Sequence, residues 1–132
     1  MKKIMIIDDD AETLDLLTRL LHKKFQVASV SDTTNLQHRL NEYKPDLIII
    51  DHFIGCKTSK EIIDDFKKQD VLQNIPVIIH SGHEQIEQIA MASEASGFIR
   101  KPSSIHEIRS YVERWLIGYA TEEGSGASGA TA

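Results

Sequence analysis

Two apolar runs in this chain, Ile4-Met5-Ile6-Ile7 and Leu47-Ile48-Ile49-Ile50, are continuous rather than alternating, and each stops at an aspartate, Asp8 and Asp51. A strand that is apolar at every position must be covered on both faces, as in a parallel sheet held between two layers of helices. A sheet with one face in water would alternate. Parallel strands also need crossovers long enough to hold a helix, so a helical period is expected between the runs.

Leu14, Leu17, Leu20 and Leu21 recur at that period and predict a first helix over about residues 11–24. Residues 25–30 are more polar and predict an edge strand. Ser31 or Asp32 is placed to cap a second helix that turns Leu36, Leu40 and Tyr43 inward. Lys44-Pro45-Asp46 breaks that helix, and the run ending at Asp51 is the most apolar strand, hence central. A third helix is expected from about Ser59, with Ile62, Ile63 and Phe66 inward. Ile75-Pro76 leads into a strand over residues 77–80 that Ser81-Gly82 closes. The fourth helix is weak: Ile86, Ile89 and Ala90 are apolar, but Ser93, Ser96 and Gly97 favour an early end. Residues 98–100 make a short fifth strand, and Ile105, Ile108, Val112, Trp115 and Leu116 mark the last helix.

Five strand-helix repeats predict an α/β fold, a doubly wound five-stranded parallel sheet of order 2-1-3-4-5. The chain of 132 residues is expected to hold one domain over residues 1–118. Residues 119–132 read as a flexible tail or linker, rich in Gly, Ser, Ala and Thr; a cloning remnant and a connection to another domain fit that composition equally. A net charge of −5 argues against direct binding of nucleic acid, which calls for clustered cations. The single cysteine, Cys56, leaves no internal disulfide and fits a reducing compartment. Only four apolar residues follow Met1-Lys2-Lys3 before Asp8, too few for a signal-peptide core or a membrane span, so a cytoplasmic location is expected.

In open parallel sheets, ligands bind at the carboxyl ends of the strands, where strand order reverses. Asp8, Asp9, Asp51, Ser81 and Lys101 all fall at such ends. Carboxylates about 5 Å apart repel by roughly 3 kcal/mol per pair at an effective dielectric of about 20. Lys101 supplies one compensating charge and a hard dication would supply two. Oxygen ligands with room for water select Mg2+. Asp51 is then placed as a nucleophile toward phosphorus, Ser81 as a hydrogen-bond donor to a phosphoryl oxygen, and Gly82 as a point of close backbone approach. A plainer origin for the aspartates is the N-terminal turn of a helix, which accounts for Asp10 but not for Asp51 and Lys101 at matching strand ends. His52, His80 and His83 lie near the same rim, but side-chain alternation along the strands keeps them from converging on a zinc ion with Asp51. His83 is expected at the site entrance.

These residues resemble the receiver domain of two-component response regulators, the CheY-like family. The resemblance covers residues 2 to about 117. It rests on Ile-Ile-Asp8-Asp9-Asp10, on Asp51 after Leu-Ile-Ile-Ile, on Ser81-Gly82 after Val-Ile-Ile-His, and on Phe-Ile-Arg-Lys101-Pro102. It implies that Asp51 is the phosphoacceptor and that Asp8, Asp9 and the backbone carbonyl of Phe53 join it around Mg2+. It also implies that Lys101 contacts the phosphoryl group, that Ser81 and Phe98 form a switch with Phe98 turning inward, and that Lys101-Pro102 is a cis bond. Such a chain takes its phosphoryl group from a histidine kinase or histidine phosphotransfer protein and catalyses only its own phosphorylation and dephosphorylation. It then offers the face of helix 4, strand 5 and helix 5 to a downstream protein or a second copy. One loop departs from the family pattern: Gly55 and Ser59 stand where proline and glycine are typical.

Three other readings compete. A phosphohydrolase of the haloacid-dehalogenase type would share Asp8-x-Asp10, but needs a later acidic pair on a strand, whereas Glu122-Glu123 fall in the tail. A flavodoxin-like flavin carrier shares the topology, yet Asp8, Asp9 and Asp10 would repel a flavin phosphate. A receiver-like interaction module independent of phosphorylation is the remaining alternative, opposed by the complete acidic, hydroxyl and lysine set.

Overall fold

The computed structural model describes residues 1–118, so the expected tail over 119–132 lies outside the described residues. In chain order the elements are β1 (Lys3–Ile7), α1 (Ala11–Leu21), β2 (Gln26–Val30), α2 (Leu36–Tyr43), β3 (Leu47–Ile50), β4 (Phe53–Ile54), β5 (Lys57–Thr58), α3 (Ser59–Lys67), β6 (Val77–Ser81), α4 (Ile86–Ala92), β7 (Gly97–Arg100) and α5 (Ile105–Leu116). A single 3-10 turn, Asp70–Leu72, follows α3. Five strands pair in parallel in the order β2-β1-β3-β6-β7, and β4 with β5 form a separate antiparallel hairpin. With that hairpin set aside, the order is the 2-1-3-4-5 that the sequence predicts: a flavodoxin-like α/β fold.

The continuous apolar runs are buried on both faces, as their composition requires. Ile4, Ile6, Leu47, Ile49, Ile78 and Ile99 pack with Leu17 and Leu21 of α1 and with Ile108 and Val112 of α5. Their alternating neighbours Met5, Ile7, Ile48, Ile50, Val77, Ile79 and Phe98 pack with side chains of α2, α3 and α4. Full burial of each such side chain contributes about 1.5–3 kcal/mol, which fixes strand register at one-residue precision. Ile7 is consequently the register partner of Ile50, and Ser81 that of Arg100.

Several local expectations change. Neither Ser31 nor Asp32 caps α2: Asn35 does, in the left-handed region at φ 52°, with no side-chain cap bond. Asp32 instead accepts the Thr34 N–H at 2.9 Å in an Asx-type turn before the helix begins. The first helix ends at Leu21 rather than at residue 24, because the N–H groups of Lys24 and Phe25 both fold back onto the Leu21 carbonyl to turn the chain toward β2. Ile105 and Trp115 are not core residues; they keep 50% and 42% exposure. Ile105 opens the helix and Trp115 lies in its last turn, where the next residue, Leu116, is the one that packs against the core. Among the described residues, no helix is long and apolar enough to cross a membrane.

Candidate functional site

Register places the acidic residues together. Asp8 and Asp51 leave adjacent strands one residue beyond a matched pair, with the Asp51 N–H bonded to the Ile7 carbonyl at 3.0 Å. Carboxylate oxygens of Asp8, Asp9 and Asp51 all lie within 4.8 Å of one another. On the other side, the Lys101 N–H donates to the Ser81 carbonyl at 2.9 Å, which continues the β6–β7 ladder past its last pair. The Lys101-Pro102 bond is cis, as expected. The Lys101 ammonium then reaches Asp8 Oδ2 at 3.3 Å and Asp51 Oδ2 at 3.7 Å.

Electrostatics at the site are one-sided. Asp8 is 2% exposed, and burial pushes its carboxyl above the usual carboxylate range. The Asp10 N–H and Lys101 oppose that shift, while the neighbouring charge of Asp51 reinforces it. Asp10 has a structural role, since its side chain caps α1 by accepting the Thr13 N–H at 3.2 Å and the Thr13 hydroxyl at 2.6 Å. Asp9 is exposed and accepts the Gly55 N–H at 3.2 Å. Three carboxylates therefore face one ammonium. The donor set is made of hard oxygens and has uncompensated negative charge, which suits a small dication.

Ser81 is buried beside this cluster, and its Oγ accepts the His83 N–H at 3.1 Å, so its O–H proton remains available to donate. Gly82 is less constrained than expected: a Cβ there would meet Lys101 at 3.6 Å, an ordinary contact. Phe98 is 7% exposed and packs within the core. Its ring lies under the Arg100 guanidinium at 6.0 Å and borders a groove of about 400 Å³ also lined by Pro102, Glu107 and Tyr111.

The loop that departs from the family pattern is the β4–β5 hairpin, which sequence reasoning did not anticipate. Its signal was present: Gly55-Cys56 between two short β-compatible pairs, with Gly55 at φ 63° as a glycine-first two-residue turn requires. Phe53 faces Thr58 one step from the bonded rung at Ile54 and Lys57, so its carbonyl points away from the ladder. The Phe53 ring is 52% exposed and lies 4.3 Å from the His52 ring and 6.5 Å from that of His83. His52 and His83 meet edge-on at 5.4 Å. His80 is 6% exposed, and Nδ1 of its ring finds no hydrogen-bond partner among the described residues.

Fold and site together define a class, a doubly wound α/β domain with an acidic, lysine-bearing pocket at its topological switch point. The family model for the response regulator receiver domain matches residues 4–113. The chain belongs to that family. The regulatory protein VirG of Agrobacterium tumefaciens is 31% identical over 111 residues, covering 81% of this chain and 40% of VirG. Chemotaxis protein CheY of Halobacterium salinarum is 26% identical over 102 residues, covering 76% of this chain and 85% of that protein. The solved structure of the chemotaxis response regulator CheY4 of Vibrio cholerae shares the fold with a TM-score of 0.80 at 19% identity, covering 88% of this chain and 99% of that one. This chain thus spans less than half the length of VirG.

Proposed function

We propose that residues 1–118 act as a phosphoacceptor receiver, in which Asp51 takes a phosphoryl group from the phosphohistidine of a histidine kinase or a histidine phosphotransfer protein. The observation that carries this reading is the Lys101 ammonium, 3.3 Å from Asp8 and 3.7 Å from Asp51, above three carboxylates whose oxygens lie within 4.8 Å. A salt bridge that served only stability would not need two further acids gathered at the same rim.

Asp8, Asp9, Asp51 and the Phe53 carbonyl would hold Mg2+. When bound, the ion neutralises charge on the pocket and on a phosphoryl oxygen. An Asp51 carboxylate oxygen attacks phosphorus, the donor's P–N bond breaks, and its electron pair returns to the imidazole ring. Lys101 pairs with one phosphoryl oxygen and the Ser81 hydroxyl donates to another. Drawing Ser81 toward the phosphoryl group gives up its bond with the His83 N–H, which loosens the start of α4 and lets Phe98 repack. The face of α4, β7 and α5 changes shape as a result, and a downstream protein or a second copy reads the change. A cytoplasmic location fits a kinase partner with a soluble phosphohistidine domain.

Incubation with Mg2+ and a small phosphodonor tests the reading. Intact mass should rise by one phosphoryl group in the wild type and stay constant in Asp51→Asn. An unchanged wild-type mass would favour an interaction module that works without phosphorylation.

A further inference from the structure

The Asp51 carboxylate is not free to rotate. Its Oδ1 accepts the backbone N–H of His52 at 2.8 Å. That N–H is available because of how the neighbouring hairpin is closed. Ile54 faces Lys57 and Phe53 faces Thr58, so the next rung sets His52 against Ser59. In a bonded antiparallel rung each residue donates to the other. Here only half the exchange is made: the Ser59 N–H donates to the His52 carbonyl at 2.6 Å, while the His52 N–H turns to Asp51. Side chains supply the missing half. His52 Nδ1 and Ser59 Oγ share a hydrogen bond of 2.8 Å, with the two residues 8% and 0% exposed.

Ser59 is well anchored. It is the first residue of α3, behind a capping box of Thr58 and Glu61, and the same helix buries Ile62, Ile63 and Phe66 in the core. A buried polar pair is costly to leave unmade, so the two side chains hold each other and, through the backbone between them, the amide on Asp51. Ser59 also stands at one of the two positions where the chain departs from the receiver pattern.

We propose that His52 and Ser59 are positioning residues for phosphoryl acceptance, their buried bond holding the His52 amide on Asp51 Oδ1 so that Oδ2 stays turned toward Lys101. The inference rests on Asp51 being the acceptor. A misaligned nucleophile loses rate even when the metal site is full, so the effect belongs in the rate constant for phosphorylation at saturating Mg2+.

The test compares Ser59→Ala, His52→Phe and the double variant with the wild type. Phosphorylation by acetyl phosphate at saturating Mg2+ is followed by intact mass, alongside urea unfolding and the Mg2+ concentration giving half the maximal rate. Each single variant should react about tenfold more slowly or worse with Mg2+ saturating, whatever the shift in its half-saturating concentration. The double variant should be no slower than the singles, because all three break one bond. Variants that lose stability yet react at the wild-type rate would overturn the clamp, as would losses that multiply in the double variant. If Ser59→Ala does not fold, Ser59→Gly carries the same expectation. A wild type that takes up no phosphoryl group overturns the acceptor reading and the clamp together, whereas a reactive wild type matched by its variants overturns the clamp alone.

Discussion

The Lys101 ammonium sits 3.3 Å from Asp8 Oδ2, a carboxylate only 2% exposed, and is the one cation whose ion pair reaches into the acidic cluster among the described residues. Removing it strands a buried charge beside Asp51. Lys101→Met should lower stability by about 2 kcal/mol in urea unfolding at neutral pH, less than for a fully buried pair because Lys101 keeps 27% exposure. Adding Asp8→Asn to that variant should recover part of the loss. A Lys101→Met protein as stable as the wild type would mean that the ammonium does not compensate the cluster.

Asp8 carries the opposite expectation for its own charge. Its folded-state carboxyl titrates above the ordinary value, mainly through burial, so at neutral pH the charged form costs the fold stability that the neutral form would not. Asp8 contributes most at acid pH, and its contribution falls as pH rises through the raised folded-state value. In chelator at pH 7, Asp8→Asn should therefore be more stable than the wild type. Mg2+ at one hundred times its dissociation constant should then stabilise the wild type by about 2.7 kcal/mol and the variant far less. Equal stabilisation of both would remove Asp8 from the metal set.

His80 makes the fold sensitive to acid from a different place. Burial pushes its imidazole down to about 4 from 6.5, with the Lys101 charge adding to the effect. Below pH 6.5 the unfolded chain takes a proton that the folded chain refuses until about pH 4, so stability is complete above that window and lost on descending through it. The loss at the lower end amounts to about 3 kcal/mol. Urea titrations between pH 7.5 and 4 should show a steeper decline for the wild type than for His80→Val, and parallel curves would contradict the assignment.

Gly97 is needed for packing. A Cβ at that position would collide with the Tyr111 hydroxyl on α5. Gly97→Ala should destabilise the domain by about 1–3 kcal/mol, and Tyr111→Phe in the same chain should restore part of it. An alanine variant that melts with the wild type would show that Tyr111 moves aside without cost.

How much of this was legible beforehand differs from residue to residue. The apolar runs required a parallel sheet covered on both faces, and the order 2-1-3-4-5 common in such folds then brought Asp8, Asp51 and Lys101 to one rim. The cap of α2 was misread because Asp32 has a nearer backbone partner in Thr34, and a preference for cap residues does not say which amide will be taken. The hairpin escaped notice because two residues per strand show no period. The pairing of His52 with Ser59 depends on that hairpin's register, and so could not be read before it. Phe98 was recognisable as a core aromatic, but not its resting position, which depends on how α4 and Arg100 pack around the ring.

Phosphoryl acceptance by this route forms an acyl phosphate on Asp51. Borohydride reduction of the phosphorylated chain converts such an aspartate to homoserine, and peptide mass spectrometry then locates it. Homoserine is expected at position 51 and nowhere else, with none in a Mg2+-free control. Homoserine at Asp8 or Asp9, or phosphorylated protein that resists reduction altogether, would contradict it.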